Sequence, residues 1–301
     1  MIFNLMKPVP TTESATMKKG RLLCWSTLQP PEYNHNDTWV RIGYSSNEPF
    51  GFLGSRTWSD GTNVYFSDGE KQYVLVDGKW EPKTWEGYAP YYGSKVWTDG
   101  TNVYYSGYGN PSYNGQYVLV DGKWEPKTWN GFTNIDGEWI WSDGANIYYS
   151  YYSPSVQKQF VLNGNTWKDK TWNDLTPERG NCVWSDGTNV YYSDEENQYV
   201  FNGDTWEPKV WNGLSSIIGR KIWTDGTNVY YSIGGSQDKP EGHFNYVLNG
   251  DTWELKTWNG FTGIGVGDGP FIWSDGKQVY WSYGGGGTYA LKATNPVPVY
   301  E

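Results

Sequence analysis

At 301 residues and a formal charge of −10, the chain has room for one large or two ordinary domains, and its acidity disfavours nucleic acids and anionic membranes as partners. Twenty Trp, 26 Tyr and 38 Gly beside three Met argue against a helical protein, because aromatic residues suit pleated strands and Gly supplies turns. The chain lacks the Lys/Arg cluster of a nucleic-acid binder, and its acidic excess is spread so evenly that it reads as a solvated surface.

The N-terminal stretch MIFNLMKPVPTTESATMKKG holds an apolar run too short for a signal-peptide core. No apolar run is long enough to span a membrane, so no membrane insertion is expected. The chain as written reads as cytosolic, although a virion protein released by lysis would look the same. Cys24 and Cys182 are far apart and in no C-x-x-C pairing, which predicts two small buried hydrophobes rather than a disulfide or a metal site.

From Trp58 onward the chain repeats itself. The motif W-[ST]-D-G begins at Trp58, Trp97, Trp141, Trp184, Trp223 and Trp273. The residues up to and including each Trp predict a first short strand, and the D-G pair predicts a tight turn. N-V-Y-Y-S predicts a second strand, Q-Y-V-L a third, and W-E-P-K-T-W a fourth after a DG or NG turn. Proline cannot donate to a ladder, so the fourth strand belongs at a sheet edge. Four antiparallel strands ending in an edge strand describe one blade of a propeller.

Upstream, Met17–Ser26 aligns under WSDGTNVYFS, and Asn36-Asp37-Thr38-Trp39 matches the N-G-D-T-W of later copies. These segments predict a seventh module. The expectation is therefore an all-β, seven-bladed β-propeller with four antiparallel strands per blade, a six-bladed ring being the alternative. Residues 1–10 are expected to form an arm or a ring-closing strand, and 11–301 a single propeller domain.

In spacing, the chain resembles kelch-repeat propellers, in which a Tyr precedes a Trp with six residues between. That spacing recurs at Tyr73/Trp80, Tyr117/Trp124, Tyr199/Trp206 and Tyr246/Trp253, with Phe160/Trp167 as a variant. The Gly pair that ends the second strand in that family survives at Gly234-Gly235 and Gly284-Gly285, and is lost at Gly69, Gly107 and Asp194. The resemblance implies a binding or scaffold module without catalysis, docking a partner protein through loops on one face.

Residues that recur in every blade are expected to be structural. Most of the Trp fall at the W-[ST]-D-G, W-E-P-K and K-T-W positions and predict packing between blades. The motif aspartates predict turn chemistry, each carboxylate satisfying nearby backbone N–H groups. Function is expected where the repeat breaks down, on the face carrying the loops between strands two and three and the blade-to-blade connections. The candidates are Tyr108, Asn110, Tyr113, Tyr151, Tyr152, His243, Phe244 and Tyr283 from the loops, with Tyr88, Tyr91, Tyr92, Asp136, Glu138, Arg179 and Arg220 from the connections. Tyr and Arg suit binding surfaces because they combine contact area with a polar handle.

No hydrolase, metalloprotease, P-loop or dinucleotide motif occurs, so no catalytic residues, metal or cofactor are expected. Loop carboxylates such as Asp136, Glu138, Glu178 and Asp238 leave glycoside hydrolysis as a minor option. A partner protein is the leading expectation. A glycan-binding lectin or adhesin, or a decoration subunit of a virion or bacterial surface, is the alternative.

Overall fold

The computed structural model describes residues 19–21, 38–43, 56–107, 114–153, 156–172, 177, 179–225, 228–233, 244–258, 272–274, 278–283 and 287–292. Its strands form six sheets, each a blade of a β-propeller. Blade 1 runs Thr57–Ser59, Val64–Asp68, Lys71–Val76 and Lys79–Pro82. Blade 2 runs Val96–Thr98, Val103–Gly107, Gly115–Val120 and Lys123–Pro126. Blade 3 runs Ile140–Asp143, Ile147–Ser153, Val156–Asn163 and Thr166–Asp169. Blade 4 comprises Val183–Ser185, Val190–Ser193, Gln198–Phe201 and Trp206–Pro208. Blade 5 comprises Ile222–Thr224, Val229–Ile233, Phe244–Asn249 and Thr252–Lys256. Blade 6 takes Ile272–Ser274, Val279–Tyr283 and Gly287–Lys292 from the C-terminal part of the chain.

The local chemistry matches the strand and turn pattern. At the turn from strand three to four, Asp77 (φ 47°) and Gly78 (φ 75°) both hold positive φ, and this left-handed pair matches the right-handed twist of the flanking strands. Pro82, Pro126 and Pro208 end outermost strands, where a missing N–H costs no ladder bond. Part of that edge is also covered. Glu86–Gly87 pairs in parallel with Lys123 and Trp124, and Asn130–Gly131 with Thr166 and Trp167, so these two connections lace onto the next blade.

The core lies between blades. In blade 1, Trp58 stacks on Tyr65 of the second strand (4.5 Å) and on Trp85 of the following connection (5.6 Å), and meets Trp124 of blade 2 edge-on at 5.6 Å. The same contact to the next blade recurs as Trp97–Trp167, Trp141–Trp206 and Trp184–Trp253. Each fully buried indole contributes roughly 4–6 kcal/mol as an upper bound, which replaces the scarce aliphatic core. Lys83, Lys127, Lys170 and Lys209 lie over the faces of Trp85, Trp129, Trp172 and Trp211 at 4.2–4.6 Å, so W-E-P-K-T-W is also a cation–π motif.

The ring closes with six blades, not seven. Thr38–Gly43 pairs antiparallel with Gly287–Lys292, with Thr38 opposite Lys292 and Trp39 opposite Leu291, and supplies the fourth strand of blade 6. Trp273 of blade 6 then meets Trp80 of blade 1 at 5.7 Å, the same contact as at the four interfaces from blade 1 to blade 5. Matching Asn36–Trp39 to N-G-D-T-W identified the strand position correctly, but that strand completes the last module instead of a module of its own. Lys19–Arg21, aligned as part of a seventh blade, adds to the inner edge of blade 3. Closure thus falls to Thr38–Gly43, while residues 1–10 lie outside the described residues. No helix among the described residues is long and apolar enough to cross a membrane.

Candidate functional site

The two faces of the disc carry different chemistry. On one face, the D-G turns are copies of each other. Asp60 Oδ1 accepts the N–H groups of Thr62 and Asn63, each at 2.8 Å, while Oδ2 accepts the Tyr65 hydroxyl at 2.8 Å. Asp99, Asp143 and Asp186 repeat the set with Tyr104, Tyr148 and Tyr191. Burial first, then the neighbouring carboxylate, pushes these tyrosine hydroxyls well above their usual range. The recurring Asp, Asn and Tyr of these turns are therefore committed to holding the turn.

The other face carries the longer loops and connections, and a short 3₁₀ turn enters the first strand of blades 2 to 5. The turns are Gly93–Lys95, Gly137–Trp139, Gly180–Cys182 and Gly219–Lys221. Their glycines are required by close approach. A Cβ on Gly93, Gly137, Gly180 or Gly219 would lie only 2.0–2.3 Å from the carbonyl oxygen of Arg56, Lys95, Trp139 or Cys182 of the preceding blade. The turns therefore lean on one another in an arc around the channel mouth. The last residue of successive entries changes from Arg56 to Lys95, Trp139, Cys182 and Lys221, so equivalent positions carry different chemistry.

Two ionic clusters lie on this arc. Lys95 Nζ is 2.5 Å from Asp136 Oδ2 and 3.9 Å from Glu138 Oε2. Asp136 also caps its turn, accepting the Glu138 N–H at 3.1 Å. Burial raises the Asp136 carboxyl above the ordinary range, while Lys95 and the Glu138 N–H oppose that shift. In the other cluster Arg56 pairs with Asp68 and lies 5.6 Å from the Tyr92 ring centroid. Tyr92 in turn meets Tyr91 edge-on at 4.8 Å.

Of the residues selected from sequence, Tyr91, Tyr92, Asp136 and Glu138 gather on this arc around Arg56 and Lys95. Tyr151 is half-buried and edge-on to Trp139 at 6.2 Å. Arg179 is exposed at the start of the third turn, and Arg220 lies half-buried on the fourth. Phe244 is 45% exposed at the loop end of its strand. Tyr88 instead turns inward, stacked on Tyr117 at 3.8 Å, and serves packing. Tyr108, Asn110, Tyr113 and His243 lie outside the described residues, as do the side chains of Tyr152 and Tyr283. Sequence reasoning missed Arg56, Lys95, Trp139 and Lys221 as rim residues. Their signal was present: Gly followed by two residues, then Val, Ile or Thr, then the motif Trp, as in GSRTW, GSKVW, GEWIW, GNCVW, GRKIW and GPFIW.

No protein-family model matches the chain, and no curated protein matches it by sequence. Among solved structures it is similar to the extracellular domain of a hybrid two-component system from B. thetaiotaomicron. The identity is 13% and the TM-score 0.46, over 86% of this chain and 42% of that one. It is also similar to YjhT (12% identity, TM-score 0.49, 82% and 95% covered). A third likeness is to a subtype N11 neuraminidase-like protein from A/flat-faced bat/Peru (10% identity, TM-score 0.40, 94% and 99% covered). At these values the likenesses carry no functional argument, and the propeller rests on its own strand pairing and closing contact.

Proposed function

We propose that the chain is a non-enzymatic, kelch-like binding module that docks a partner protein across its loop face. The observation that carries this is the difference between the faces. Turn polar groups on one side repeat from blade to blade and are internally satisfied, whereas the arc at the other mouth offers Arg56, Tyr92, Glu138, Trp139, Arg179 and Arg220 once each. A lectin would repeat its site in each blade. A single composite patch of Arg, Tyr and Trp suits one extended partner surface. Asp136 and Glu138 are engaged with Lys95, and Asp68 with Arg56, which favours an architectural over a hydrolytic role for these carboxylates.

The test places a photo-crosslinking residue at Arg179 on the loop face or at Thr188 on the opposite face. The expected result is one protein captured in native lysate from position 179 only, with purified partner then binding Trp139→Ala at least about tenfold more weakly. Equal capture from both faces would overturn the reading. Saturable binding on a glycan array, lost in Trp139→Ala and Tyr151→Ala, would replace it with the lectin.

A further inference from the structure

Blade 3 carries one strand more at its inner edge than a blade needs. Ile140–Asp143, Ile147–Ser153, Val156–Asn163 and Thr166–Asp169 already make the four-stranded unit, and Lys19–Arg21 pairs antiparallel with the first of them on the channel side. Among the described residues no other first strand has an added strand on that edge. The register sets Lys19 opposite Asp143, Gly20 opposite Ser142 and Arg21 opposite Trp141. The Asp143 N–H turns toward the second strand, donating to Asn146. Backbone groups alternate along a strand, so those of Ser142 face the channel and its directly opposed partner, Gly20.

This strand is also a local exception in charge. Lys18, Lys19 and Arg21 place three cations within four positions of a chain whose net charge is −10. It lies beside the first strands of blades 3 and 4, which lead into the turn aspartates Asp143 and Asp186. Unlike Thr38–Gly43, which completes blade 6, Lys19–Arg21 can leave without opening a blade. It therefore behaves as a ligand carried in cis, on an edge whose free N–H and C=O groups take any extended segment of fitting charge.

We propose that the inner edge of blade 3 is a strand-acceptor site, that Lys19–Arg21 is its detachable resident, and that a basic extended segment of a partner protein displaces it. The proposal does not rest on the loop-face reading. A tethered resident competes at an effective concentration in the millimolar range, so the site answers only to a partner that out-competes it.

The test compares the full chain with its Gly20→Pro variant, in which the strand has lost the donor facing Ser142. The probes are a fluorescein-labelled peptide spanning Met17–Leu23 and the same peptide with proline at the glycine position. Anisotropy should show the glycine peptide binding Gly20→Pro at least about tenfold tighter than the unaltered chain, and the proline peptide binding neither. The Ser142 amide should exchange faster in the variant and regain protection with peptide, while the Ser59 amide, on the first strand of blade 1, stays unchanged. A second variant, K19E/R21E, keeps every backbone donor and should show the same ordering. Equal affinity for both proteins, equal binding of both peptides, or unaltered Ser142 exchange in Gly20→Pro would overturn the proposal.

Discussion

Asp143 alone settles two backbone N–H groups and a buried tyrosine hydroxyl, and Asp60, Asp99 and Asp186 do the same in their blades. A neighbouring relay runs from Trp58 Nε1 to Ser67 Oγ (2.8 Å), on to Gln72 Oε1 (2.6 Å), and from Gln72 Nε2 to the Pro90 carbonyl (2.9 Å), tying a blade to its outgoing connection. Asp143→Ala strands the Tyr148 hydroxyl and both amides, and is expected to destabilise the fold by about 1–3 kcal/mol in urea unfolding. This role was legible in the sequence because Asp before Gly is local turn chemistry. The Lys95–Asp136 pair was not legible, since its partners stand 41 positions apart and Lys95 reads as the start of a strand. Removing one member leaves a buried charge alone, so Asp136→Ala should cost about 3–5 kcal/mol, and K95M/D136L far less. The pH dependence has a definite sign. A carboxyl raised by burial binds its proton more tightly folded than unfolded, so its contribution is fullest below the ordinary value of 3.8 and is lost as pH rises through the raised value. Denaturation across that range should show the unaltered protein losing stability relative to K95M/D136L as pH increases.

At the scale of elements, the strands follow from their residues and the 3₁₀ turns do not. V-Y-Y-S and Q-Y-V-L are β-branched and aromatic runs between turn signals, and the structure makes strands of them at Val190–Ser193 and Gln198–Phe201. The 3₁₀ turn depends on a neighbouring blade, because Gly137 is held by the Lys95 carbonyl rather than by any residue near it in sequence. Periodicity cannot register a constraint of that kind, although the six-fold G-x-x before the strand records it. Two alanine substitutions separate local from inter-blade demand. Gly164 has φ 58° with nothing within 4 Å of a new Cβ, so Gly164→Ala should cost only about 1 kcal/mol of backbone strain. Gly137→Ala forces a Cβ to 2.3 Å from a carbonyl oxygen and should cost about 1–3 kcal/mol or more, with blade 2 loosening as well as blade 3 in hydrogen exchange.

At the scale of the whole molecule, the repeat was legible and the number of blades was not, because counting modules does not say which module an N-terminal strand joins. Asn36–Trp39 resembles a fourth strand wherever it sits. Only the pairing of Thr38–Gly43 with Gly287–Lys292 assigns that strand to blade 6 and makes a ring from a chain whose ends would otherwise leave two open blade faces. Closure gives Trp80 a different meaning from the one it has in an open array. In an open array Trp80 belongs to the first blade and faces water, so truncating it would cost little. In the ring it meets Trp273 at 5.7 Å, as Trp124 meets Trp58 at 5.6 Å inside the array. Trp80 is half-buried where Trp124 is fully buried, so Trp80→Ala should cost about 2 kcal/mol, less than the roughly 3–5 kcal/mol of Trp124→Ala but well above the near-zero cost of an exposed indole. Hydrogen exchange should rise in the first strands of both blade 1 and blade 6. A cost near zero, or a rise confined to blade 1, would mean that the two ends do not close on each other.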